Sequence, residues 1–260
     1  MLSLFRGADY FTRGLCRYYR MISDWQERNM YPVTVERPEG TNVVVISPHP
    51  DDDVIACGGT LIKHHEAKCR LTSIYMTDGR KGDPSFGDED LLVRERQAES
   101  RRAGEIVGID SMIFLANKDQ ELRPTEATVA ELTRLLDEIE PDLVYAPFFV
   151  DNHADHRASA AILVESAKRT RRAFACCAYQ TWTPMFPNIL VDVSREFDRK
   201  MAALSEHKTQ IRNIDYARIC EAAGTLWSLY TDKNVRHAEG FFEAPSREYC
   251  ELYSRIRGRA

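Results

Sequence analysis

Val43-Val44-Val45-Ile46-Ser47-Pro48-His49-Pro50-Asp51-Asp52-Asp53 decides the fold of this chain: an apolar run stops at a proline-flanked histidine and three consecutive carboxylates. About a hundred residues later a second run, Leu143-Val144-Tyr145-Ala146, leads in the same way to His153-Ala154-Asp155-His156. Two clusters of imidazole and carboxylate therefore stand where buried strands end. Groups packed this tightly repel one another or share protons unless a cation or a reaction holds them together, so the pair of clusters points to a metal site.

Outward from these runs the pattern alternates. Residues 43–47, 70–77, 111–116 and 143–147 read as strands, and 53–67, 91–107, 125–140 and 155–169 as helices, with a Gly- and Asp-rich loop over 78–88. This alternation implies right-handed crossovers and an α/β, Rossmann-like, mainly parallel sheet with helices on both faces. Such sheets bind ligands beyond the carboxyl ends of their strands, near a topological switch point, and both clusters occupy that edge. Past residue 174 the pattern weakens to strand-like stretches at 175–180 and 189–193 and a helix over 196–211.

At the other end, Phe11, Leu15, Tyr18, Ile22 and Trp25, with Arg13, Arg17 and Arg20 among them, read as an amphipathic helix. Its apolar stripe suits packing on the body of the chain, a subunit contact or a membrane surface. Pro32, Pro38 and Gly40 end that pattern. The expected organisation is an N-terminal helix and linker over 1–40 and a single catalytic domain over 41–260.

The 260 residues suffice for one α/β domain with a substantial core, and the net charge of -5 gives no reason to expect nucleic-acid binding. The seven cysteines form no CxxC pair, and the vicinal Cys176-Cys177 suits a disulfide poorly, so a reducing, cytoplasmic setting is expected. No stretch approaches the roughly twenty apolar residues of a membrane span, and no secretion signal is visible.

Zinc and similar borderline metals take imidazole nitrogen and carboxylate oxygen, and a catalytic site uses three protein ligands and leaves room for water. His49 and Asp52, three apart at a strand-to-helix turn, and His156 from the second strand end fit that count. Pro48 and Pro50 stiffen the turn, and Gly58 and Gly59 let the helix behind it approach closely. Asp51 is left beside the metal to take a proton from bound water. His153, as imidazolium, would stabilise an oxyanion or protonate a leaving amine, with Asp155 orienting its ring. Hydrolysis of an amide is the expected reaction. Asp53 reads as the helix N-cap. His64 and His65 read as surface residues, and His207 as a buried, hydrogen-bonded histidine. The charged run Arg94-Glu95-Arg96 reads as a largely solvated helix face.

These motifs resemble the LmbE/PIG-L family of zinc-dependent N-deacetylases, which act on amino-sugar conjugates. The family's His-Pro-Asp-Asp-Glu stands here as His49-Pro50-Asp51-Asp52-Asp53, and its His-Pro-Asp-His as His153-Ala154-Asp155-His156. The resemblance implies zinc on His49, Asp52 and His156, Asp51 as general base and His153 at the transition state. Arg96-Gln97-Ala98-Glu99, Phe114-Leu115 with Asp119, Val191-Asp192-Val193-Ser194, His207-Lys208-Thr209-Gln210 and Ala238-Glu239-Gly240-Phe241 extend it over about residues 43–242. It makes Arg96 and Asp119 candidate contacts for sugar hydroxyls or an attached anion. Asp151 joins them as a candidate substrate contact or a supporting carboxylate, because it stands where some relatives place an oxyanion-assisting tyrosine.

The implied enzyme holds one zinc per chain, with iron as the alternative, and removes the N-acetyl group from an N-acetylglucosamine-type conjugate. A homo-oligomer is expected by resemblance. Two competitors remain at this point: a metal-dependent phosphoesterase, which would need further bridging carboxylates, and a catalytically silent sugar-binding protein of the same fold.

Overall fold

A computed structural model describes residues 32–257. The amphipathic stretch expected in the first 30 residues lies outside the described residues. Eight strands form one sheet: β1 (Val33–Val35), β2 (Asn42–Ser47), β3 (Arg70–Thr77), β4 (Ser111–Asn117), β5 (Leu143–Pro147), β6 (Ala175–Tyr179), β7 (Ile189–Asp192) and β8 (Ala238–Pro245). Their spatial order is β1-β7-β8-β6-β5-β2-β3-β4, and every pairing is parallel except those of β8 with β6 and β7.

The alternation along β2 explains why two layers of helix are needed. Val44 and Ile46 face a core shared with helices α3 (Glu126–Ile139), α4 (Ala154–Arg169) and α8 (Ser246–Arg257). Val43 and Val45 face a second core with α1 (Asp52–Glu66), α2 (Glu89–Val107), α5 (Phe197–Ser205) and α7 (Tyr216–Ser228). A strand buried on both faces leaves no solvent side, which is why these runs are continuously apolar.

β2 pairs with β3 on one side and with β5 on the other, so the strand order reverses between β2 and β5. The crevice at their carboxyl ends is the switch point, and both sequence clusters open into it.

Three expectations are corrected. Residues 33–35, read as linker, add an edge strand paired with β7. The single helix expected over 196–211 is two, α5 and the short α6 (Lys208–Ile211), because His207 leaves helical geometry at φ -79°, ψ 57°. His64 is wholly buried rather than on the surface; its Nε2 meets the Tyr145 hydroxyl at 2.9 Å, and burial lowers its pKa to about 4. β8, α7 and α8 had no sequence reading. Gly59 allows α1 its close approach: a Cβ there would lie 2.7 Å from that of Val193. Among the described residues no helix is long and apolar enough to cross a membrane.

Candidate metal and catalytic site

The turn from β2 into α1 builds the first half of the site. Asp51 occupies the N-cap position, but its side chain makes no capping bond. Asp52, the first helical residue, turns back instead, and its Oδ2 accepts from the His49 backbone N–H at 2.9 Å. Asp53 is not the cap. It lies wholly buried in the first turn, where its Oδ2 accepts from Ser73 Oγ at 2.9 Å and Tyr75 OH at 2.8 Å and so ties α1 to β3.

The second half comes from the turn between β5 and α4. His153 is the N-cap of α4 through its ring: Nδ1 accepts from the Asp155 backbone N–H at 3.3 Å. That bond places the hydrogen of a neutral ring on Nε2. Burial lowers the pKa of His153, and the neighbouring His49 and His156 lower it further, so the neutral ring is the resting form rather than the expected imidazolium.

Asp52 is the hinge of the cluster. Its Oδ2 lies 3.2 Å from His49 Nδ1 and 3.3 Å from His156 Nε2. Burial alone would lower the pKa of His156, but Asp52 and Asp151 outweigh it and raise it to about 9. For Asp52, burial is likewise outweighed by His156 and His49, which hold it well below the carboxylate range. Asp151 supports His156 from behind: its Oδ2 lies 3.6 Å from His156 Nδ1 and accepts from the Trp182 backbone N–H at 3.2 Å. Its Oδ1 accepts from the His153 N–H at 2.8 Å.

Asp155 does not orient the ring of His153 with its carboxylate. Its Oδ2 lies 3.4 Å from His49 Nε2 and accepts from the Gln120 N–H at 2.6 Å. Asp119 lies on the same side of His49, at 3.3 Å from Nε2, and accepts from the Lys81 N–H. Burial pulls the pKa of His49 down, but Asp119, Asp155 and Asp52 together raise it well above its ordinary value.

Arg96 is not on a solvated face; it is 2% exposed, with Nη2 at 3.2 Å from Asp51 Oδ2 and Nη1 donating to the Gly79 carbonyl at 2.8 Å. Gly79, at φ +67°, has no Cβ because one would strike that guanidinium. Burial lifts the Asp51 pKa and Arg96 pulls it back, leaving it at about 6. Glu99, one turn on, accepts from the Thr209 N–H and hydroxyl at 2.8 and 2.7 Å, so α6 is strapped to α2 beside Arg96. His207 is buried as expected, but neither ring nitrogen has a hydrogen-bond partner, and burial lowers its pKa to about 3.

All nine sequence-predicted site residues thus meet in one crevice. His49, His153 and His156 offer ligand atoms within 4.8 Å of one another, as do His49, Asp119 and Asp155. Tyr216 and Trp182 were missed. The charges of Asp51 and Asp52 act on the Tyr216 phenol, and Trp182 adjoins Asp151; Trp182 lies in an irregular segment, and Tyr216 opens a helix that had no sequence reading.

The raised His156 pKa has a measurable consequence in metal-free protein. A group protonated more readily when folded contributes stability fully below its unfolded value, 6.5, and loses it as pH rises to about 9. The melting temperature of chelator-treated protein should fall across that window, whereas zinc-loaded protein should not follow it; a flat curve for the metal-free form would contradict the Asp52–His156 pairing.

The sequence profile of the family described as PIG-L, GlcNAc-PI de-N-acetylase, matches residues 44–167. Diacetylchitobiose deacetylase of Thermococcus kodakarensis is 27% identical over 223 residues, covering 78% of this chain and 83% of that protein. A probable N-acetyl-alpha-D-glucosaminyl L-malate deacetylase 2 of Bacillus anthracis is 27% identical over 187 residues, 65% of this chain and 81% of that protein. The structure of N,N'-diacetylchitobiose deacetylase from Pyrococcus horikoshii superposes with a TM-score of 0.74 at 24% identity, covering 81% of this chain and 86% of that one, a likeness of fold. Residues 44–167, which carry both motifs of the crevice, thus match the PIG-L (LmbE-like) family.

Proposed function

We propose that this protein is a metal-dependent N-deacetylase that hydrolyses the acetamide of an N-acetylglucosamine-type conjugate to acetate and a free amine, with one zinc ion on His49, Asp52 and His156. The observation that carries the reading is Asp51: a buried carboxylate beside an imidazole and carboxylate donor set, tuned to a pKa of about 6 and held by Arg96. A general base works best with a pKa near the working pH. The names of the Thermococcus and Bacillus relatives supply the amino-sugar class.

The donor set fits a zinc ion. Two imidazoles and a carboxylate match its usual ligands, and Nε2 of the wholly buried His156 makes no hydrogen bond and faces Asp52 Oδ2 at 3.3 Å, while Asp151 stands behind Nδ1, as for a ring that keeps one nitrogen for a cation. The two candidate donor groups share His49 but no carboxylate, so they offer no carboxylate bridge between two ions. That favours the one-metal hydrolase over a two-metal phosphoesterase. A bound zinc ion would polarise the acetamide carbonyl and lower the pKa of water.

The chain's own groups do the rest. Asp51, ionised at neutral pH, takes the proton of the attacking water, and Arg96 holds its carboxylate in place. His153 donates Nε2–H to the oxyanion that develops on the acetamide oxygen, its tautomer set by the Asp155 N–H. The proton held on Asp51 then passes to the departing amine. Asp151 and Asp155 orient His156 and His49, as outer carboxylates do for metal-binding imidazoles. Asp119 and Arg96 are too enclosed to read sugar hydroxyls first; we assign them to His49 and to Asp51.

Acetate release from N,N'-diacetylchitobiose and from N-acetylglucosaminyl malate by zinc-loaded protein tests the reading. Turnover of either, abolished by chelation and restored by zinc, is the expected result; no acetate from any N-acetylglucosamine conjugate with one zinc bound would overturn it.

A further inference from the structure

The described surface exposes few large aromatic rings, and one of them adjoins the carboxylate behind His156. Trp182 is 39% exposed. Its backbone N–H donates to Asp151 Oδ2, the carboxylate behind His156, so the residue lies two contacts from a proposed metal ligand. The next residue braces the same turn: Thr183 Oγ1 accepts from the Asn152 N–H at 2.8 Å. The loop after β6 that carries the indole is thus hydrogen-bonded twice to the loop that carries the second motif.

Tyr216 meets it at the first turn of α7. The two ring centroids are 5.9 Å apart with planes at 58°. One turn further along α7, Cys220 Sγ lies 3.6 Å from the Ile55 carbonyl, which fixes α7 against the first turn of α1. Tyr216 is therefore held between the Asp51 turn on one side and the Trp182 loop on the other, and both carboxylates of the Asp51-Asp52 pair act on its phenol. No hydrogen bond holds that hydroxyl among the described residues.

We propose that Trp182 and Tyr216 form a sugar subsite that holds the pyranose ring next to the acetamido sugar being hydrolysed, the indole lying against that ring's C–H face. This rests on the deacetylase reading above and names the class of aglycone. Rings meeting at 58° make a corner rather than a parallel slot. A flat aromatic aglycone is best held by stacking, whereas a puckered pyranose has an apolar face for the indole and equatorial hydroxyls for polar groups at its edge. Those polar groups are the Tyr216 hydroxyl, at the tip of a ring otherwise buried at 6% exposure, and the Thr183 hydroxyl beside Trp182. Aromatic walls with a few placed polar groups are the usual composition of small-ligand sites.

The test compares N,N'-diacetylchitobiose, p-nitrophenyl N-acetylglucosaminide and N-acetylglucosamine on zinc-loaded wild type, Trp182→Ala and Trp182→Phe. Trp182→Ala should raise KM for the disaccharide about tenfold with kcat unchanged, the scale of one lost stacking contact. It should leave the monosaccharide unaffected, and Trp182→Phe should recover most of the loss. The backbone N–H that Asp151 needs survives both substitutions. Binding of the disaccharide to the same proteins, followed by calorimetry, separates this inference from the one beneath it. Affinity lost in Trp182→Ala in a protein that releases no acetate supports the subsite and sinks the deacetylase. Acetate release with equal KM in wild type and Trp182→Ala sinks the subsite and leaves the deacetylase. A larger loss on the nitrophenyl glycoside than on the disaccharide would overturn the pyranose assignment.

Discussion

Asp51→Asn is expected to bind zinc as the parent does and to lose about 10²- to 10⁴-fold in kcat on an N-acetylglucosamine conjugate, the contribution of a positioned general base. The variant keeps the size and the contacts of the side chain but removes its basicity. Because Asp51 is outside the proposed ligand set of His49, Asp52 and His156, metal content measured in the same samples should not change. Near-parental kcat would remove Asp51 from the mechanism. A companion variant tests how the base is tuned. Arg96 lowers the Asp51 pKa against the effect of burial, so Arg96→Met should move the acid limb of the rate profile to higher pH. A limb that stays in place or moves down would show that the guanidinium at 3.2 Å does not set the base.

The parts of this protein legible in its sequence are those where one physical demand dominates. β2 and β5 are buried on both faces, so they read as continuous apolar runs, and the chemistry follows them because parallel strands deliver their carboxyl ends to one edge. β1 and β8 were illegible for opposite reasons. β1 is a three-residue edge strand with Val33 exposed, and β8 carries the buried Glu239, whose charge masks a strand. That carboxylate is satisfied only in three dimensions, by the Gly59 and Thr60 N–H groups of α1 and by Lys200 Nζ at 2.7 Å.

The convergence of the candidate residues was legible in the same limited way. Spacing identified which imidazoles and carboxylates converge, because each sits within a few residues of a strand end. Spacing could not say which carboxylate faces which ring. Asp155 follows His153 by two residues yet serves His49, 106 positions away, with its carboxylate, and serves His153 only through its backbone. Arg96, inside a run of charges, looks solvated until α6 and the loop after β3 close over it. The protonation state of His153 is equally a tertiary property, since burial and two neighbouring imidazoles keep it neutral.

That ambiguity of pairing gives the metal ligands their sharpest test. His156→Ala should abolish stoichiometric zinc binding, while Asp151→Asn should weaken it by the about 10- to 100-fold that loss of an outer partner costs. The geometry offers other sets around His49, either with His153 and His156 or with Asp119 and Asp155. The proposed set is favoured because Asp52 Oδ2 faces both His49 and His156 within 3.3 Å, whereas His153 Nδ1 is already occupied by the Asp155 N–H. His153→Ala should therefore keep its zinc and lose kcat, and Asp119→Asn should keep its zinc as well. If His153→Ala lost the metal and Asp52→Asn kept it, the ion would belong to the three imidazoles. Asp52 would then be a second carboxylate beside the reacting amide, and the assignment of Asp51 as the sole base would fall with the ligand set.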